Sequence, residues 1–116
     1  MARYDDWAKG NRTLRYAIVM PKDDDGLFPK EFDVAGDYIF AVMVKPTKGK
    51  PAKVHVYRAD TGEKVGVMFS GPEVGGNSGW IDMVHGIHAL KTSAGDYLIV
   101  VEEDWRGKNI VYHWRP

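Results

Sequence analysis

The densest polar and aromatic segment of the sequence runs from Trp80 to His88, directly after a glycine-rich loop. It contributes Trp80, Asp82, His85 and His88 as candidate ligand-binding residues. The two histidines are three positions apart, so on a helix they would share a face and could chelate a metal ion. On a strand they would point to opposite faces. Because the surrounding pattern favours a strand, we predict neither a metal site nor a bound cofactor.

A second candidate group, Glu102-Glu103-Asp104-Trp105, stands at the end of an apolar run. Carboxylates beside a tryptophan suit carbohydrate recognition, because the indole face stacks on the sugar ring and the carboxylates hydrogen-bond to its hydroxyls. The same carboxylates could form an acid/base pair, but glycoside hydrolysis requires two carboxylates at a set separation in space. A solvated surface turn is the competing interpretation. We therefore assign these residues to a ligand-binding hypothesis and name no catalytic residue.

Other motifs with known chemistry are absent from the sequence. It contains no Gly-x-Ser-x-Gly nucleophile elbow, phosphate loop or dinucleotide fingerprint. The chain has no cysteine, which excludes disulfides, thiol nucleophiles and thiolate metal sites. Asp23-Asp24-Asp25-Gly26 lacks the alternating ligand order of an EF-hand loop, so we interpret it as a solvated turn. The sequence therefore predicts binding more readily than catalysis.

The composition limits the kinds of partner. Sixteen basic and sixteen acidic residues give a formal net charge of zero, without the basic surplus of a nucleic-acid-binding protein. No apolar run approaches the roughly 18 residues of a membrane-spanning helix, so we predict no membrane partner. The first seven residues lack the apolar core of a signal peptide. The compartment stays open between the cytoplasm and secretion after removal of a signal.

Short strands must position the candidate residues. Eight apolar runs, rich in Val, Ile and Tyr, are separated by Gly, Pro, Asp and Asn. No long window carries the stripe of an amphipathic helix, and only Tyr4–Gly10 has room for one or two helical turns. We predict one all-β domain over residues 1–116. The runs are Thr13–Met20, Glu31–Ala35, Asp37–Lys45, Lys53–Ala59, Lys64–Phe69, Val84–Lys91, Asp96–Glu102 and Asn109–Trp114.

Two of these runs differ from the others in pattern. Residues 38–44 and 97–101 are apolar at consecutive positions, which predicts inner strands that are covered on both faces. Residues 53–58 and 109–114 mix polar and apolar side chains instead. These two runs are predicted to lie nearer an outer rim.

The sequence contains an internal repeat. Ala35-Gly36-Asp37-Tyr38-Ile39 matches Ala94-Gly95-Asp96-Tyr97-Leu98 at an offset of 59 residues, and each match opens a fully apolar run. Val56-Tyr57 and Val111-Tyr112 occupy corresponding places in the next run, at an offset of 55 residues. The repeat predicts a first unit at residues 31–69 and a second unit at residues 80–115.

The order of the runs resembles two blades of a β-propeller. The first unit has four strands and the second has three, while Thr13–Met20 is left over at the start of the chain. In propellers the N-terminal strand completes the last blade. The resemblance therefore implies two four-stranded antiparallel blades, with residues 12–20 as the closing outer strand. An eight-stranded β-sandwich or barrel is the alternative.

Two blades cannot close a ring, and an open pair would expose apolar sheet faces of the kind that mark interfaces. The resemblance thus implies a homo-oligomer, preferably a trimer or tetramer, or a place in a larger propeller. We hypothesise a non-catalytic binding module with a carbohydrate as its ligand. One alternative is a fragment of a carbohydrate-active enzyme that uses Glu102, Glu103 or Asp104 as acid or base. The other is a structural self-assembly unit without a ligand.

Overall fold

The computed structural model describes residues 1–10, 12–18, 26–44, 52–69, 84–103 and 107–116. Within these ranges the chain forms strands and one short 3₁₀ helix at Trp7–Lys9, so the predicted all-β fold class is confirmed. None of its described helices is long and apolar enough to cross a membrane. The strands are β1 (Ala2–Asp5), β2 (Thr13–Ala17), β3 (Phe28–Ala35), β4 (Tyr38–Val44), β5 (Lys53–Arg58), β6 (Lys64–Phe69), β7 (Val84–Lys91), β8 (Tyr97–Glu103) and β9 (Lys108–Trp114).

The strands form three antiparallel sheets. The first is the β1–β2 hairpin, the second is a four-stranded sheet in the order β3–β4–β5–β6, and the third is a three-stranded sheet in the order β7–β8–β9. Both larger sheets follow the chain order, with each strand paired to the next one along the chain. The turn from β3 to β4 contains only Gly36 and Asp37, and Gly36 has a φ of 52°, which an L side chain rarely adopts. The described strands of each predicted repeat unit therefore share one sheet.

The N-terminal strand requires a correction. It was predicted to complete the second unit beside Asn109–Trp114, but within the chain Thr13–Ala17 pairs with Ala2–Asp5. Positive φ angles at Asp6 (58°) and Gly10 (79°) flank the short 3₁₀ helix at the turn between these strands. Closing such a local hairpin costs less conformational entropy than pairing the two ends of the chain. The segment Tyr4–Gly10, predicted as one or two helical turns, thus supplies a strand end and this helical turn.

The four-stranded and three-stranded sheets stack face to face over a shared core. Phe40 from β4 and Ile99 and Val101 from β8 lie at its centre and are almost completely inaccessible to solvent. Full burial of one such side chain stabilises the fold by about 1.5–3 kcal/mol. Trp114 from β9 extends the contact, since its ring lies so close to Gly66 on β6 that no Cβ would fit there. These contacts hold the two sheets together.

Corresponding residues of the two repeat units meet in this core. Tyr38 and Tyr97, which are 59 positions apart in the sequence, lie edge to face with 5.2 Å between ring centroids. Phe40 and Val42 share the cluster with their counterparts Ile99 and Val101. The two units therefore present the same face to each other, as sheets related by an approximate two-fold axis do.

The structure also corrects the alignment of the last matched strands. Phe40 lies opposite Val56, whereas its counterpart Ile99 lies opposite Tyr112. Val56 thus corresponds to Tyr112, at an offset of 56 residues instead of the predicted 55. Because side chains alternate between the faces of a strand, this single step leaves Val56 in the core and Val111 on the outer face.

Burial along the strands differs from the prediction in two places. β4 is covered on both faces as expected, but in β8 only alternate residues are buried. β5, which was predicted near an outer rim, is buried from Val54 to Tyr57. The reason is the β1–β2 hairpin, which lies across the outer side of β4 and β5 and has no described counterpart over β8.

Candidate functional site

The structure describes only part of the predicted ligand-binding set. His85 and His88 on β7 and Glu102 on β8 are described, whereas only the backbone of Glu103 is. The predicted residues outside the described ranges are Trp80, Asp82, Asp104 and Trp105.

His88 and Glu102 lie on one surface of the molecule, the side of the three-stranded sheet that faces away from the shared core. His88 is paired with Val100, and Glu102 is paired with Gly86. His85 is exposed at an irregularity in the pairing between Val84 and Gly86. The described residues include no group of three side chains that could hold a metal ion.

This surface, which we call the bare face, consists of three residues from each of the strands β7, β8 and β9. Its centre is aliphatic, and four large side chains there are between 37 and 61 % exposed: Leu90, Leu98, Val100 and Val111. Its remaining positions are Gly86, His88, Glu102, Asn109 and His113. A contiguous exposed apolar surface of this kind is typical of an interaction site.

The two imidazoles at the border of the bare face have carboxylate partners within the chain. Nε2 of His113 lies 2.9 Å from Oδ2 of Asp96, and Nδ1 of His88 lies 3.4 Å from Oδ2 of Asp33. A Cβ at Gly86 would come within 3.2 Å of a Glu102 carboxylate oxygen, so this carboxylate leans over the glycine. The aliphatic centre has no corresponding cover among the described residues.

The outer side of the four-stranded sheet is different because the hairpin lies on it. Ile39 and Tyr57 are buried there against Tyr16 and Ile18 of the hairpin segment. The hydroxyl of Tyr16 donates a hydrogen bond to the carbonyl oxygen of Ala59 at 2.8 Å. Burial raises the pKa of the Tyr57 phenol. We call this region the covered face.

An open cleft separates the hairpin from the β3 edge of the covered face. Its volume is about 440 Å³, and its lining includes Tyr4, Tyr16, Phe32, Val34 and Ile39. A smaller hollow of about 180 Å³ continues along β3 and again includes Phe32. The cleft thus combines an aliphatic floor with three aromatic rings.

Arg3 supplies a charged side chain in this cleft. Its Nη1 donates a hydrogen bond to the carbonyl oxygen of Ala59 at 2.6 Å, and its Nε donates one to Asp5 at 2.8 Å. The hydrogen bond to the Asp5 carboxylate raises the pKa of the Arg3 guanidinium. The described lining contains no carboxylate, histidine, serine or threonine. This arrangement can orient a ligand by stacking and hydrogen bonding, but it lacks the paired groups of acid/base catalysis.

Sequence reasoning missed the aromatic residues of this cleft. The cleft exists only because the hairpin folds back on the sheet, and the leading strand had been predicted elsewhere. A usable signal was the alternation in β3, where Phe32 and Val34 stand between Glu31, Asp33 and Ala35. Such alternation predicts a strand with apolar side chains on the side opposite its carboxylates.

The comparisons with known proteins were negative. No family model matches the chain, and neither a curated protein nor a solved structure matches it. The resemblance to propeller blades therefore stays a prediction from the sequence pattern.

Proposed function

We propose that this chain is a non-catalytic binding module that takes a carbohydrate in the cleft between the hairpin and the covered face. One observation carries this proposal. Tyr4, Tyr16 and Phe32 line a single open cleft together with Arg3, which is paired with Asp5.

The geometry of the cleft suits a small sugar. Its volume of about 440 Å³ falls within the roughly 300–1,000 Å³ of small-molecule sites. Tyr4 and Phe32 are both about half exposed, so ring surface is accessible for stacking on the C–H face of a sugar. The Arg3 guanidinium supplies hydrogen-bond donors for hydroxyl groups, and its hydrogen bond to Asp5 orients it.

The enzyme alternative has less support from the described residues. Glu102, one of its three predicted acid/base residues, lies on the bare face, and no second described carboxylate shares that face. Hydrolysis of a glycosidic bond needs two carboxyl groups on either side of the bond. Binding without turnover is therefore the better supported proposal.

A glycan array followed by calorimetric titration of the best glycan tests this proposal. We expect Phe32→Ala to weaken binding up to about 10-fold, because a stacked ring contributes on the order of 1 kcal/mol. Phe69→Ala is the matched control. Phe69 is an aromatic residue of the same sheet with a similar exposure (60 % against 54 % for Phe32), but it does not line the cleft.

Two outcomes would contradict the proposal. The first is a folded protein that takes up no glycan at millimolar concentration. The second is an equal loss of affinity in Phe32→Ala and Phe69→Ala, which would place the ligand elsewhere or show a general effect on the sheet.

A further inference from the structure

We propose that the bare face docks against the same face of a second copy of the chain, forming a two-fold symmetric dimer. This surface lies on the sheet opposite to the carbohydrate cleft, so the inference is independent of the proposed function. Its aliphatic centre, formed by Leu90, Leu98, Val100 and Val111, is contiguous because Leu90–Leu98 and Val100–Val111 are directly paired across the strands, and Leu98 and Val100 are two positions apart on the same face of β8.

The corresponding positions of the covered face are buried by the hairpin. Leu98 and Val100 are the repeat counterparts of Ile39 and Ala41, which are at most 4 % exposed beneath the hairpin. Within the described ranges there is one such hairpin for two corresponding faces. Every described strand is already committed to one of the three sheets. Among the described residues no second segment lies over the bare face, so this face is open to a partner.

The composition of the bare face favours a copy of itself as that partner. It carries one carboxylate, from Glu102, and no lysine or arginine, so two copies would bring aliphatic centres together without strong charge repulsion. The imidazoles of His88 and His113 lie at the edges, on the two outer strands of the sheet. A surface that docks on the same surface of a second copy forms a closed two-fold dimer.

A closed ring of more copies conflicts with the packing. In a propeller the front of one blade meets the back of the next, so corresponding residues do not touch. Here Tyr38 and Tyr97 are in contact, and the outer faces of the two sheets point in opposite directions. Ring closure would need the bare face of one copy to dock on the covered face of the next, where the hairpin already lies. The dimer is the arrangement that both faces permit.

The size of the bare face sets the expected strength. Three strands, each spanning five residues of the bare face, cover a rectangle of roughly 15 by 17 Å. The area of this rectangle is well below the roughly 800 Å² that each partner buries in a standard interface. We therefore expect a weak dimer, with a dissociation constant on the order of 10 µM or above.

Analytical ultracentrifugation of the full chain between about 1 and 500 µM tests the dimer. We expect a concentration-dependent equilibrium between monomer and dimer. Val100→Lys should leave a monomer throughout, because it buries an unpaired ammonium at the centre of the interface. Val67→Lys is the matched control, since Val67 is an equally exposed valine (41 % against 37 % for Val100) on the other sheet. This variant should dimerise like the wild type.

Leu90→Gln provides a second test that does not depend on the folding of the lysine variant. Leu90 is 59 % exposed, so its replacement leaves the core intact while weakening the dimer at least several-fold. A wild-type monomer at every concentration would overturn the proposal, as would a trimer or tetramer, or equal effects of Val100→Lys and Val67→Lys. Glycan binding by the folded Val100→Lys variant should be unchanged, so the two proposals fail separately.

Discussion

The covered face and the bare face carry corresponding residues but differ in their contact with solvent. Ile39 and Ala41 are buried, whereas their repeat counterparts Leu98 and Val100 are more than a third exposed. The apolar character of a strand therefore does not decide how much of it is buried. The burial of a strand also depends on whether another segment packs against its outer face. Among the described residues, the hairpin segment with Tyr16 packs against the covered face and not against the bare face.

The two faces also differ where the repeat has diverged. Met43 is buried in the four-stranded sheet, while its counterpart in the three-stranded sheet is the exposed Glu102. Tyr57, opposite Ile39, is buried, while the residue opposite Leu98 is the exposed His113. The bare face thus has an aliphatic centre with polar residues around it. This pattern is typical of an interface that also exists exposed to water.

The largest predicted effect compares corresponding positions directly. Ile39→Asn should lower the free energy of unfolding by about 3–4 kcal/mol, because it removes a buried side chain and buries an amide without a partner. Leu98→Asn should cost about 1 kcal/mol or less, since surface substitutions have small effects. Urea denaturation followed by circular dichroism at low micromolar concentration measures both. Equal losses would show that the hairpin does not distinguish the two faces.

A smaller effect is expected where the hairpin touches the β5–β6 turn. Gly62 has a φ of 77°, and a Cβ there would come within about 3.0 Å of the Tyr16 and Ile18 side chains. We expect Gly62→Ala to destabilise the protein by about 1–3 kcal/mol, from the strained backbone and the displaced hairpin together.

Gly95→Ala isolates the backbone contribution to that loss. Gly95 has a φ of 90° in the turn before β8, and a Cβ there would meet nothing within 4 Å. Gly95→Ala should lower the free energy of unfolding by about 1 kcal/mol. A Gly62→Ala loss no greater than the Gly95→Ala loss would contradict the contact between the hairpin and this turn.

The local structure was predictable because it depends on local patterns. The alternation and turn residues placed most of the strands within a few positions, and the Gly-Asp-Tyr match identified strands β4 and β8 as counterparts. The pairing of Thr13–Ala17 was not predictable in the same way, because it depends on the turn at residues 6–10 and competes with distant partners. The exposure of Leu98 escaped prediction for a related reason, since an apolar run carries no information about what covers it.

The candidate sites were harder to predict than the strands. Phe32 and Tyr16 are distant in sequence and meet only through the folded-back hairpin, so no spacing rule joins them. His88 and Glu102 were selected as ligand-binding residues for their chemistry, and the structure places both on the bare face. Whether they contact a carbohydrate stays a prediction. Their position at the border of an aliphatic surface supports a role in association.

The smallest predicted effect concerns an ion pair between the two repeat units. This ion pair does not involve the covered face or the bare face. Oδ2 of Asp37, in the β3–β4 turn, accepts a hydrogen bond from Nζ of Lys91 on β7 at 3.0 Å. This bond lowers the pKa of Asp37 below its ordinary value of 3.8. The stability it contributes is present above the unfolded pKa and is lost as the pH falls through the lower folded pKa. Because Asp37 is 70 % exposed, the contribution is small and weakened by salt.

Asp37→Asn should therefore lower stability slightly at pH 7 and reduce the loss of stability between about pH 5 and 2. Lys91→Gln should change the pH dependence of stability in the same way, because it removes the partner of the same hydrogen bond. The double variant should be no less stable than either single variant. Chemical denaturation across this pH range at low salt measures all three variants. Additive effects would mean that the two groups act separately. The face-to-face packing of the units would then depend on the shared core alone, and the contrast between the outer faces would be unchanged.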